Sequence, residues 1–166
     1  MDAFAIAIDK FNEFMGKIGA LLVLPLVGVV FYEILMRYAF NKPTIWGFEL
    51  TLFIYGLNYM LGLALTEGRG GHVSVDVLTM HLSPRKKALM GIVSYLVLFV
   101  PVWTCMTIWT CKYAFNSTRM LERNPTSWNP PVWPIKLLMA LGVVMLFLQG
   151  ISTLIRHIQT YRGLKD

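Results

Sequence analysis

Charge is scarce in this 166-residue chain: Asp, Glu, Lys and Arg together make up 14% of it, where soluble domains average about 25%. That scarcity leaves too little polar sequence to clothe a water-soluble core. Acidic residues are scarcest, nine against fifteen basic ones, and they supply no acidic dyad or nucleophile–base pair of the kind an active site needs. Cysteine is limited to Cys105 and Cys111. Six positions apart on one helical segment, they face about 240° apart and can neither pair nor share a metal, so both read as small apolar packing residues. The three histidines, His72, His81 and His157, all lie outside the long apolar runs, which argues against haem held between facing membrane helices. There is no ten-residue alternation of apolar and polar residues, which excludes a membrane barrel, and an open sheet would leave its edges unpaired in lipid.

What the chain does have is apolar length. Hydrophobic residues make up 56% of it, concentrated in four segments over about 18–38, 48–66, 88–115 and 133–155. At about 1.5 Å per residue each can cross a hydrocarbon core of about 30 Å. The fold class this implies is all-α: an integral membrane four-helix transmembrane bundle with short interfacial amphipathic helices, forming a single membrane domain over 1–166. Residues 1–16 read as an interfacial helix and 156–166 as a cytoplasmic tail. The net charge of +6 sits beside the membrane segments rather than in an aromatic-interleaved stripe, so membrane lipid headgroups, not nucleic acid, are its expected partners. Nine basic residues (Lys10, Lys17, Arg69, Arg85, Lys86, Lys87, Arg156, Arg162, Lys165) fall at the termini and second loop, and six (Arg37, Lys42, Lys112, Arg119, Arg123, Lys136) at the other end. This bias places the N- and C-termini in the cytoplasm. The first segment, preceded by Asp2, Asp9 and Glu13 and followed by Glu33 and Arg37, reads as a retained span rather than a cleaved signal.

Local patterns refine this picture. Phe4, Ile8, Phe11 and Met15 recur at helical spacing while Asp9, Lys10, Asn12 and Glu13 fall elsewhere, which predicts a helix lying in the headgroup layer. Pro25 and Pro101 should bend their helices, and the 28-residue third segment implies tilt or protrusion into water. Asn124-Pro125 and Asn129-Pro130-Pro131 favour extended or turn backbone, with Pro134 suited to a helix's first turn. Trp46, Trp128 and Trp133 read as interface anchors. The glycines of Glu67-Gly68-Arg69-Gly70-Gly71-His72 suit a sharp exit from the second span, since no following Lys-Ser or Lys-Thr completes a phosphate loop. Val73, Val77, Met80 and Leu82 then form a short amphipathic run.

Ionisable groups at the membrane edge are where function should show. Glu33 and Arg37 share a helix face, and Glu49 opens the second span at the same edge, so Arg37 can reach an acid within its helix or across the loop. We expect a structural clasp between the first two spans. His72 and Asp76, four apart, supply two ligands without a Cys or third His, too few for a metal site; their expected role is loop hydrogen bonding. No cofactor is expected.

Taken in order, Arg37-Tyr38-Ala39-Phe40-Asn41-Lys42-Pro43, Ile45-Trp46 with Glu49, Gly62, and Gly70-Gly71-His72-Val73 with Val75-Asp76 resemble the small membrane subunit, the DctQ-like or Q subunit, of the TRAP (tripartite ATP-independent periplasmic) transporters. The resemblance spans nearly the whole chain. It implies a non-catalytic scaffold in the inner membrane of a bacterial or archaeal cell, beside a large elevator-type permease subunit that carries the sodium and substrate sites. A periplasmic substrate-binding protein would deliver a small organic acid. On this chain Arg37, Trp46 and Glu49 would organise the periplasmic edge and His72 and Asp76 the cytoplasmic loop. Charge and predicted side add Lys42, Arg119 and Arg123 as docking residues. Two alternatives stand beside this: a homodimeric proton-coupled cation or drug exporter using Glu33, and a membrane anchor for another complex. Neutralisation of Glu33 by Arg37 argues against the exporter.

Overall fold

The computed structural model describes residues 2–70 and 83–163. Its helices are α1 (Asp2–Leu21), α2 (Val23–Tyr38), α3 (Gly47–Gly68), α4 (Pro84–Ser94), α5 (Val100–Arg119) and α6 (Trp133–Tyr161), with a π-helical turn at Tyr95–Phe99 joining α4 to α5. Four stretches are long and apolar enough to cross a membrane: Ala5–Tyr38, Gly47–Gly68, Arg85–Arg119 and Trp133–Tyr161. They contain the four segments expected from hydropathy and extend each of them. The predicted amphipathic run at Val73, Val77, Met80 and Leu82 lies outside the described residues, as do His72, Asp76 and His81.

Both helix irregularities trace to proline. Pro25 has no N–H to offer the Leu21 carbonyl, and α1 parts from α2 just before it, at Leu22, whose own N–H reaches the carbonyls of Ile18 and Gly19. Pro101 likewise has no N–H for the turn that precedes it. There the helix widens, and the Val100 N–H bonds back to the Tyr95 carbonyl, five residues away. The wide turn sets Tyr95, Phe99 and Trp103 in a ladder, with successive ring centroids 5.0 and 5.8 Å apart. Phe99 from that ladder lies against Gly150 of α6.

The expected surface helix and the first span form one long seam. A line of covered or partly covered positions runs through Ala5, Ile8, Asn12, Gly16, Gly19, Leu22, Leu26, Val29, Glu33 and Met36, with Asp9 and Met15 also partly covered beside it. The line advances in steps of three and four, the 3.5-residue repeat of knobs-into-holes packing. Sequence divides the amphipathic helix from the span near residue 17; the structure divides them at Leu22. From Asn12 onward α1 runs along the last turns of α3, where Gly16 and Gly19 permit close approach to Leu65 and Leu61. Of the Phe4/Ile8/Phe11/Met15 stripe, Ile8 is buried and Met15 packs against the core, but Phe11 is 49% exposed and Asn12 faces inward beside it.

The spans stand in a row rather than around a common axis. The α1–α2 rod packs on α3, α3 on α6, and α4 and α5 on α6, with α1 also touching α6. The core lies where α3 meets α6, at Leu61, Ala64, Met145 and Leu146, with Met15, Leu22, Leu63 and Trp103 packed around it. Because α6 has neighbours on both sides, 44% of its apolar window is buried, against none for the third span. The outer faces of α2 (Leu24, Val27, Phe31) and α5 (Val102, Met106, Trp109) are exposed.

Candidate functional site

Two polar assemblies tie the row together, one at the end holding the 39–46 and 120–132 loops and one at the end holding the termini. At the loop end, Arg37 donates to Glu33 Oε1 at 2.8 Å, one helical turn away. Glu33 Oε2 accepts from the Thr44 backbone N–H at 3.2 Å and from the Thr44 hydroxyl. Thr44 Oγ1 in turn accepts from the Gly47 N–H at 3.0 Å, satisfying one of the free donors at the start of α3. A Cβ on Gly47 would sit 2.7 Å from Glu33 Oε2, so the clasp depends on glycine there. Asn41, with φ 51°, makes the reversal that lets Lys42 N–H bond the Met36 carbonyl at 2.8 Å. Trp46 stacks on Tyr32 at 5.7 Å, joining α2 to the start of α3.

Of the two acids open to Arg37, it takes the one within its own helix, Glu33, and Thr44 joins Glu33 to the loop between the first two spans. Glu49 faces the other way and accepts from Asn124 Nδ2 at 2.9 Å, linking α3 to the long loop. That loop is internally braced: Asn124 N–H bonds the Pro130 carbonyl, Val132 N–H the Glu122 carbonyl, and Arg123 Nε the Asn129 carbonyl at 3.0 Å. Leu121 (φ 45°) and Asn129 (φ 50°) make its sharp reversals, and Trp128 lies against Phe53 of α3. Lys136 donates to Glu122 at 2.5 Å and lies over the Tyr113 ring at 4.1 Å. The Lys136 ammonium holds the Glu122 carboxyl below its ordinary range, against the opposing effect of desolvation. Lys42, Arg119 and Arg123 are all exposed at this end.

At the terminal end, α1 and α6 share a chain of buried amides. Asn12 Nδ2 donates to Gln149 Oε1 at 2.6 Å and reaches the Met145 carbonyl at 3.4 Å. Gln149 Nε2 donates to Asp9 Oδ1 at 2.7 Å, Ser152 Oγ donates to the same oxygen at 3.2 Å, and Arg156 pairs with Asp9 Oδ2. Asn12, Gln149 and Ser152 are buried. Beside them, Tyr95 donates to the buried Glu67 carboxylate, and the His157 ring lies 5.6 Å from that of Tyr95 and against Gly91. Asn58 Nδ2 donates to the Gly19 carbonyl at 2.7 Å. None of Asp9, Asn12, Glu67, Asn58 or Gln149 stood out as a site in the sequence. The available signal was an amide or acid standing within or beside an apolar run, which must find a partner on a neighbouring helix.

Chemically, these arrangements hold helices together. Glu33 has both carboxylate oxygens engaged, one by Arg37 and the other by Thr44. The model of the family described as the DctQ component of the tripartite ATP-independent periplasmic transporters matches residues 26–160, from the start of the first span's second half to nearly the end of α6. The chain belongs to this family. A DctQ component is part of a transporter, and this member is a multi-pass membrane protein with four helices able to span. The sialic acid TRAP transporter permease protein SiaT of Haemophilus influenzae (strain 86-028NP) is 33% identical over 79 residues, which are 48% of this DctQ-family chain. The chain spans only 12% of the length of that curated relative. No solved structure matches it.

Proposed function

We propose that this DctQ-family chain is the scaffold subunit of a TRAP transporter in the inner membrane, with both termini cytoplasmic and the loop end periplasmic. Its partner is a large permease subunit that carries the sodium and substrate sites and moves against it. The match of the family model over residues 26–160 carries this reading. The row of spans supports it, because a scaffold needs broad outer faces and rigid edges. The braced loop end, with Lys42, Arg119 and Arg123 exposed, suits contact with a periplasmic substrate-binding protein. The transported compound is a small organic acid recognised by the other two proteins.

The test is affinity purification of the tagged chain from gently solubilised native membranes, with mass spectrometry of what accompanies it. A large polytopic permease in near-equal amount supports the scaffold and supplies the complex for sodium-dependent uptake assays. Recovery of the chain alone as a homodimer sinks it, and proton-coupled drug transport with Glu33→Gln becomes the next measurement.

A further inference from the structure

Along α3 the exposed positions are Phe48, Leu52, Tyr55, Tyr59 and Thr66, and Gly62, where nothing lies within 4 Å of an added methyl, completes the series. Their spacing alternates steps of four and three, the repeat of a knobs-into-holes seam, yet no described helix lies in it. We infer that this face of α3 receives a transmembrane helix of another subunit, which accepts hydrogen bonds from the Tyr55 and Tyr59 hydroxyls. The inference rests on the proposed place of the chain beside a large permease, and it names the surface where the two meet.

Depth separates protein from lipid as the occupant. The 22 residues of α3 run about 33 Å at about 1.5 Å each, little more than the hydrocarbon core of about 30 Å. The middle of the helix, at Leu57 and Asn58, therefore lies near the midplane, and Tyr55 and Tyr59 stand within about 4 Å of it on either side. Headgroups begin about 15 Å from the midplane, beyond the reach of a phenol, so neither hydroxyl snorkels to water. Asn58 between them has its partner within the chain, the Gly19 carbonyl at 2.7 Å. The two tyrosine hydroxyls have none among the described residues. A hydroxyl left unpaired in hydrocarbon is costly, and acyl chains carry no acceptor to answer it. A neighbouring helix does, on a polar side chain or a freed carbonyl.

Shape separates a different subunit from a second copy. The seam is bulky toward the loop end, at Phe48, Leu52, Tyr55 and Tyr59, and narrow toward the terminal end, at Gly62 and Thr66. Two copies related by a twofold axis along the membrane normal would set each residue against itself. The rings would hold the helices apart at one end while Gly62 facing Gly62 left a void at the other. A partner helix that is small opposite the rings and bulky opposite Gly62 fills both ends.

The experiment places photoreactive benzoylphenylalanine at Leu52, at Phe31 on α2 or at Trp109 on α5, all exposed, in the full chain in native membranes, and identifies the adducts by mass spectrometry. We expect the permease to be captured from Leu52. In parallel, the apparent Kd of the chain for the purified permease is measured in detergent for Tyr55→Phe, Tyr59→Phe and Gly62→Leu. Each tyrosine change should raise Kd by about threefold, the factor one average interhelical hydrogen bond supplies. Gly62→Leu should abolish association by filling the seam, with the melt of the isolated chain unchanged because the space beside Gly62 is open. Permease captured from Phe31 or Trp109 but not from Leu52, lipid adducts alone at Leu52, or an unchanged Kd in all three variants overturns the seam and leaves the proposed function standing. A second copy of the chain captured at Leu52 overturns the permease as its occupant. A wild-type chain that brings no permease overturns the proposed function, and this inference with it.

Discussion

The closest packing against a described glycine gives a sharp prediction. A methyl group on Gly150 would lie 2.0 and 2.1 Å from Phe99 Cε1 and Cζ, so Gly150→Ala forces the ring to retreat by about 1.5 Å to reach ordinary contact. The ring has little freedom to do so, being flanked by Tyr95 at 5.0 Å and Trp103 at 5.8 Å. Overpacking of this kind costs about 1–3 kcal/mol, and the helix-propensity gain of Gly→Ala returns at most about 1 kcal/mol. The net expectation is a loss of about 1–2 kcal/mol. Gly62 is the control: nothing lies within 4 Å of its added methyl, so Gly62→Ala should be neutral or stabilise by up to about 1 kcal/mol. Unfolding of the purified protein in mixed detergent, followed by far-ultraviolet circular dichroism of its helices, measures both. In a Phe99→Ala background the Gly150→Ala cost should fall by at least about 1 kcal/mol, since the clash partner is gone. Equal effects of Gly150→Ala and Gly62→Ala, or strict additivity with Phe99→Ala, would refute the ladder-in-groove packing.

Glu33→Gln should lower the melting temperature, because Arg37 and Thr44 lose the ionised acceptor they share; a melt no lower than wild type would count against the clasp. The double reversal Arg37→Glu with Glu49→Arg should melt no higher than the poorer single variant, since Glu49 serves Asn124, and a rescue would restore Glu49 as the partner of Arg37. Gln149→Leu should cost about 1–3 kcal/mol by taking from Asn12 its short acceptor and from Asp9 Oδ1 one of its two donors, an effect larger than the roughly 0.6 kcal/mol average of an interhelical hydrogen bond. Adding Asn12→Leu to it should restore part of that loss, and a further fall in melting temperature would refute this. Because the Glu122 carboxyl is held low by Lys136, its contribution is present above the ordinary carboxyl range and lost as pH falls through the depressed value. The protection of the amides across residues 122–132, measured relative to their intrinsic exchange rates, should therefore fall on acidification in wild type but show no such step in Glu122→Gln.

Hydropathy located all four spans because membrane crossing is a matter of length and apolar content, both printed in the chain. The proline distortions were legible for the same reason: a missing N–H is a covalent fact. The clasp was half legible. Spacing placed Arg37 beside Glu33, but whether Glu49 or Thr44 completed it depended on the path of the 39–46 loop, set by the reversal at Asn41. The seam through Asn12 and Gln149 was not legible as a site, since each amide breaks an apolar pattern and only the folded chain shows that they answer each other across 137 residues. Likewise, Glu67 read as part of a turn, and that its buried carboxylate accepts from Tyr95, at the start of the widened turn before Pro101, shows only in the folded chain.

The row of spans also sets an order of assembly. The first two spans can zip along their seam as soon as the second leaves the insertion machinery. The third has its main neighbour in α6, which is made after it, so it must wait in lipid, or against another protein, until that helix arrives. A lesion confined to α6 would therefore leave two separately inserted halves, a failure of biogenesis in which every span is in the membrane and the subunit is not.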